Sequence, residues 1–157
     1  MRLEYFQLID RIVDINLADR SIGSEATVPT ENSIFEGHFP GYPLMPGVLL
    51  VEAMAQTAGW LVVAMNQFRR MPFLAAVKEA KLRTFVEPGQ RLSIAAQLVH
   101  DGSGFAITDA EIKRAGQPIC NATITFRILD FPNAAMATYM RKTAVALGLN
   151  TEAPADG

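Results

Sequence analysis

The sequence predicts an α+β fold, an antiparallel sheet wrapped around one long central helix, with an additional C-terminal helix. Two alternating apolar segments precede residue 30, an apolar run at 46–65 carries a single charge, and four further alternating segments follow it, separated by turn residues. A helix that is apolar on nearly every side must be covered on nearly every side, and a sheet built from the flanking strands can do so.

Each element follows from its local pattern. Residues 5–17 (YFQLIDRIVDINL) set Ile9, Val13, Ile15 and Leu17 at alternate positions, and residues 20–28 do the same with Ile22, Ala26 and Val28. Both read as strands with one buried face. The stretch ENSIFEGHFPGYPLMPG holds three Gly and three Pro in seventeen residues, which predicts a fixed loop rather than a regular element. Pro46 suits a first helical turn, and the helix is expected to run to Phe68, before Arg69 and Arg70. Strands are expected at 72–86, 91–100, 104–114 and 118–129, with turns at Pro88-Gly89, Asp101-Gly102 and Ala115-Gly116; such spacing predicts an antiparallel meander. Residues 134–148 carry Met136, Tyr139, Met140 and Leu147 at helical spacing, with Asn133 as N-cap and Gly148 as stop. The closing NTEAPADG reads as a frayed tail. The expected division is a domain at 1–130 and a helix with its tail at 131–157.

Composition narrows the function. The 157 residues are enough for one domain with a real core. A net charge of −2 argues against a nucleic-acid binder. Hydrophobic residues make up 50% and charged ones 19%, against roughly 25% charged in ordinary domains, so the apolar excess points to a subunit interface or a lipid-like ligand. The single Cys120 excludes an internal disulfide, and with His38 and His100 it has no zinc-ligand spacing, so no metal is expected. Glu4, Asp10 and Asp14 interrupt the first fifteen residues, so no signal peptide is expected and the cytoplasm is the default compartment. The run 46–65 has the length of a bilayer span, roughly 30 Å at 1.5 Å per residue. Glu52 and Gln56 lie near its middle, however, where a carboxylate costs about 2.5–3.5 kcal/mol; a buried protein helix is expected, with no membrane span.

The chemistry concentrates in HFPGYPLMPGVLLVE, residues 38–52. His38 sits in a Gly/Pro-fixed loop, where it either makes a structural hydrogen bond or serves as a base. Glu52 stands inside an apolar helix without a Lys or Arg three or four residues on, so it is either desolvated or used. A base and a carboxyl that holds its proton are what removal of a proton and a hydroxyl from adjacent carbons requires. Gln56, one turn on from Glu52, either orients it or bonds within the fold. Gly47, at the helix start, offers an N–H to a carbonyl oxygen gaining charge.

The run GHFPGYPLMPGVLLVEAMAQTAG, residues 37–59, closely resembles the signature of the β-hydroxyacyl-acyl carrier protein dehydratases of fatty-acid synthesis, the type with a His/Glu pair. The resemblance implies a hotdog fold, a homodimer pairing two hotdogs edge to edge, often a hexamer as a trimer of dimers, and no cofactor. It makes His38 the base that takes the α-proton of a (3R)-hydroxyacyl thioester and Glu52 the group that helps the hydroxyl leave. It also has the Gly47 N–H bind the thioester carbonyl and the Leu44 carbonyl fix the His38 tautomer, with His and Glu of one site coming from different subunits. The related dehydratase-isomerases have Asp where this chain has Glu52.

The chain departs from common members in lacking an H-R-[YF]-P-F segment near the start, in having Lys78 where an acidic residue is usual, and in continuing past 130. EYFQLIDR, MPFLAAVKEAKLRTFVEPG and DGSGFA are similar to the branch serving very-long-chain hydroxy fatty acids of lipid A. Arg69, Arg70, Lys78, Lys81 and Arg83 form a basic cluster, read either as a solvated face or as a docking patch for an acidic acyl carrier protein. Trp60, Met54 and Met65 either line an acyl tunnel or pack the core. His100 is expected exposed and Cys120 in the core. The rivals are a hotdog hydratase or thioesterase acting on coenzyme A esters, and a non-catalytic acyl-thioester-binding protein.

Overall fold

The structure is a computed structural model that describes residues 1–150. A single 3₁₀ turn at Leu3–Tyr5 precedes β1 (Arg11–Asn16) and β2 (Ser21–Thr27). Helices α1 (Ser33–Gly37) and α2 (Gly47–Met65) come next, followed by β3 (Arg70–Leu82), β4 (Arg91–Gly102), β5 (Phe105–Arg114), β6 (Gln117–Asp130) and α3 (Ala134–Ala146). The six strands make one antiparallel sheet in the order β1-β2-β4-β5-β6-β3. The sheet curls around α2, as expected. The tail expected beyond Asn150 lies outside the described residues.

Helix α2 is the centre of the core. Leu50, Ala53, Met54, Ala58, Leu61 and Val63 are all but fully buried against inward residues of the sheet such as Leu92, Ile94, Ile112 and Ile124. The helix is long and apolar enough to cross a bilayer, yet 61% of its most apolar stretch is enclosed by this fold. Its one buried hydroxyl, on Thr57, donates to Ala53 O at 3.0 Å and meets Ser24 Oγ at 2.7 Å, so neither polar group is left unpaired among apolar neighbours. The helix stops at Met65, short of Phe68. Gln67 and Phe68 both have φ of 58°, which ends helical hydrogen bonding and turns the Phe68 side chain back into the core.

Three other expectations shift. Strand β1 takes only Arg11–Asn16 of the expected 5–17, and its one buried residue is Ile12; Ile9 is buried just before it, whereas Val13 and, past the strand, Leu17 are about half exposed; a register shift between Ile12 and Asp14 breaks the simple alternation. The stretch 31–47, expected as loop throughout, contains α1: Asn32 caps it by accepting from Ile34 N at 3.0 Å, and Phe35 is buried. Hence only the part from Gly37 onward is punctuated by Gly and Pro. Strand β3 begins at Arg70 and ends at Leu82, and Pro72 is tolerated because β3 pairs with β6 alone.

The hairpins β4–β5 and β5–β6 close through two-residue turns, Ser103-Gly104 and Ala115-Gly116, each with positive φ at both positions. The first lies two residues beyond the expected Asp101-Gly102. Asn133 caps α3 by accepting from Met136 N at 2.9 Å. Helix α3 docks through its C-terminal end: Ile12 N donates to Leu147 O at 2.8 Å, and Ala144 and Leu149 join the core. Cys120 is buried, and its thiol is pushed up to about 11 by that burial, with the Arg83 charge opposing. His100 is exposed.

Candidate active site

His38 is placed by the end of α1 and by a loop that closes on itself. Its backbone N–H donates to Ile34 O at 3.0 Å, and Leu44 N donates to His38 O at 2.8 Å. Phe39 and Tyr42 exchange backbone hydrogen bonds at 2.9 Å, a tight turn that Gly41 permits with φ of 72°. Met45 N then donates to Val86 O at 2.7 Å, anchoring the loop to the segment after β3. The imidazole stacks on the Phe39 ring, 4.2 Å between centroids.

His38 Nδ1 lies 2.9 Å from the Leu44 carbonyl oxygen. A carbonyl only accepts, so Nδ1 carries the proton and, in the neutral ring, Nε2 keeps its lone pair. The ring faces a cavity of about 590 Å³ that Leu44, Gly47, Leu50, Leu82 and Phe85 also line. Gly47 is the first residue of α2, where an N–H has no carbonyl one turn earlier in the helix to bond.

Glu52 does not reach this cavity. It is five residues past Gly47, about 140° around a helix of 3.6 residues per turn, and lines a second cavity of about 370 Å³. A stripe of α2 at helical spacing, Glu52, Ala55, Gln56, Gly59 and Trp60, forms one wall of it, and Met71 and Leu74 of β3 line it as well. Gln56 is held on three sides. Its Oε1 accepts from Leu8 N at 3.0 Å, and its Nε2 donates to Phe6 O at 2.8 Å and to Glu52 Oε1 at 3.2 Å. The two backbone partners fix which way the amide points, and so that its N–H and not its carbonyl faces the Glu52 carboxyl group.

The five basic residues do not form one patch. Lys78, Lys81 and Arg83 are exposed toward one end of β3, where Arg83 also lines the His38 cavity. Arg69 and Arg70 are at the other end, with Arg70 roughly 26 Å along the strand from Lys78 and roughly 43 Å from Arg83 at ~3.3 Å per strand residue, and paired to Asp130 at 3.3 Å. Met54 is fully buried core, Met65 packs at the core's margin, and Trp60 lines the Glu52 cavity. Leu82 and Phe85 were not legible as site residues, because only the course of the chain beyond β3 brings them over His38. Among the described residues, no three His, Cys, Asp or Glu gather into a group that could hold a metal.

Residues 2–123 match the FabA-like domain family. The chain is 36% identical over 123 residues to the 3-hydroxyacyl-[acyl-carrier-protein] dehydratase FabZ of Clostridium acetobutylicum, covering 78% of this chain and 86% of that one. It is 36% identical over 124 residues to the protein of the same name from Lactococcus lactis subsp. cremoris, covering 78% and 85%. Among solved structures, a hypothetical thioesterase from Streptococcus pneumoniae, determined with coenzyme A, superposes with a TM-score of 0.62 at 18% identity, over 78% of this chain and 88% of that one. That likeness is one of fold, the hotdog arrangement.

Proposed function

The chain belongs to the FabA-like domain family, and from that premise we propose that it is a hydro-lyase dehydrating (3R)-3-hydroxyacyl-[acyl carrier protein] to the trans-2-enoyl product in fatty-acid synthesis. His38 Nε2 takes the α-proton. The Gly47 N–H binds the thioester carbonyl oxygen as negative charge builds there. The electron pair of the broken C–H bond forms the C2–C3 double bond, the C3–O bond breaks, and Glu52 gives the departing hydroxyl its proton, so that water leaves. The proton on His38 then returns to the Glu52 carboxylate by way of solvent, restoring both groups. Overall oxidation state does not change, so an acid and a base suffice.

One observation carries this reading: the His38 and Glu52 cavities border opposite ends of the same edge strand, Leu82 lining one and Met71 and Leu74 the other. Strand β3 is thirteen residues long and paired on one side only, with Leu74, Val77 and Leu82 exposed. A long apolar edge of this kind calls for a partner strand. Antiparallel pairing of β3 with its own copy sets the Leu82 end of one subunit beside the Met71 end of the other. His38 of one subunit then meets Glu52 of its partner, and the homodimer holds two composite sites. The same pairing brings Arg69 and Arg70 of the partner subunit toward Lys78, Lys81 and Arg83, a basic rim for an acidic carrier protein.

A cytoplasmic location goes with a carrier-borne substrate. Service to the lipid A branch is a narrower reading, supported by the three similar stretches and tested by chain-length preference.

The test is conversion of 3-hydroxyacyl-carrier thioesters by the wild type, His38→Ala and Glu52→Gln, followed by enoyl formation. Loss of a general base or acid lowers the rate by about 10²–10⁴-fold, with circular dichroism unchanged. Full activity in Glu52→Gln would overturn the mechanism.

A further inference from the structure

We infer that α3 is the wall that sets acyl-chain length, with Met140 and Thr143 bounding the cavity that opens at Glu52. The inference rests on the dehydratase reading and extends it to residues outside the family match, which ends at 123.

The reacting carbons must lie between His38 and Glu52, and the carrier arm must leave toward solvent. The alkyl chain beyond C3 therefore needs an apolar space that begins at the carboxylate. The Glu52 cavity is such a space. Its polar groups on α2 are Glu52 and Gln56, and from there the wall continues over Gly59 to Trp60, a run of roughly 12 Å at 1.5 Å per residue. At Gly59 the helix lies close to the sheet, for a β-carbon there would make ordinary contacts, 3.8 Å from Pro72 Cγ and 4.0 Å from Phe126 Cε1.

The facing wall is α3. Tyr139, Met140 and Thr143 share one face of that helix and line the cavity. The Thr143 hydroxyl is occupied by Tyr139 O at 2.9 Å. The C-terminal end of the helix, which carries Thr143, is held by the Ile12 N to Leu147 O hydrogen bond and by buried Ala144 and Leu149. A cavity of about 370 Å³ falls at the lower end of the roughly 300–1,000 Å³ range of small-molecule sites, so one added aromatic ring changes what it admits.

The test compares the full-length wild type with Thr143→Phe, which fills the cavity, and Met140→Ala, which enlarges it. Each is assayed with carrier-linked 3-hydroxybutyryl and 3-hydroxyhexadecanoyl thioesters. In Thr143→Phe, kcat/KM for the short substrate stays within about twofold and that for the long one falls tenfold or more, through KM. In Met140→Ala the long substrate loses nothing relative to the short one. Equal loss on both substrates in Thr143→Phe, or no change in their ratio, overturns the inference.

A second readout does not depend on turnover. Trp60 is the chain's sole tryptophan and lines the cavity, so a long-chain thioester brominated along its alkyl chain quenches its fluorescence in the wild type and not in Thr143→Phe. Quenching without dehydration sinks the proposed function and leaves this inference standing. Dehydration of the long substrate without quenching does the reverse.

Discussion

Leu82, the last residue of β3, lies so close over Gly47, the first of α2, that a β-carbon at residue 47 would fall 2.6 Å from Leu82 Cδ1. No side chain fits there unless Leu82 moves. Because Leu82 is half exposed and also lines the His38 cavity, the cheapest movement changes the site rather than the core.

Gly47→Ala should therefore lower kcat/KM tenfold or more while stability changes by under ~1 kcal/mol, less than the ~1–3 kcal/mol of overpacking a closed core. Adding Leu82→Ala restores most of the activity. Denaturant melts and steady-state kinetics on both variants check this, and a double variant as slow as the single one contradicts it.

Removing the Gln56 amide has two effects. Gln56→Ala takes the acceptor from Leu8 N and the donor from Glu52, and an orphaned backbone N–H costs about 1–3 kcal/mol. The expected outcome is a Tm lower by roughly 2 °C or more, together with a fall in kcat. Unchanged kcat at reduced Tm would show that Gln56 serves the fold and does not position Glu52.

Subunit mixing tests the composite site. Random reassociation of His38→Ala with Glu52→Gln makes half the dimers mixed, each with one intact site of two, so activity returns to about a quarter of wild type in an isologous dimer. Persistent inactivity despite exchange shown by native mass spectrometry rules the shared site out.

Cys120 gives a pH prediction. Its thiol rises from 9.0 to about 11 in the fold because burial disfavours the thiolate, with the Arg83 charge acting in the opposite sense. Between these values the unfolded chain has released a proton that the native protein keeps, so stability is full below pH 9 and declines as pH climbs toward 11. Urea melts across that window should fall more steeply for the wild type than for Cys120→Ala. At pH 8 the native thiol should also resist a thiol reagent that labels the unfolded chain readily; rapid native labelling contradicts the burial.

Much of this was legible in local pattern. The long apolar run, with Glu52 and Gln56 near its middle, read as a covered helix, and the clean alternation from Leu92 to Leu98 and from Cys120 to Ile128 read as strands with one buried face. Asn133 marked the start of α3 because a short polar side chain there satisfies a helical N–H. His38 and Glu52 stood out because one sits in a loop fixed by Gly and Pro and the other inside an apolar helix with no Lys or Arg three or four residues on. Short α1 was hidden by the Gly and Pro that follow it, and the irregularity in β1 turned Ile12 inward in place of Val13.

Pairing was decided by the fold. Strand β3 follows α2 in the chain, yet it lies at the sheet edge beyond β6, because the long helix carries the chain across the concave face before the meander is laid down. That placement puts Leu82 over Gly47, sets the His38 and Glu52 cavities at opposite ends of one open edge, and brings α3 against the second of them. Periodicity reports which way a side chain faces within its own element. Which elements become neighbours depends on contacts between residues far apart in the chain, and no local pattern records those.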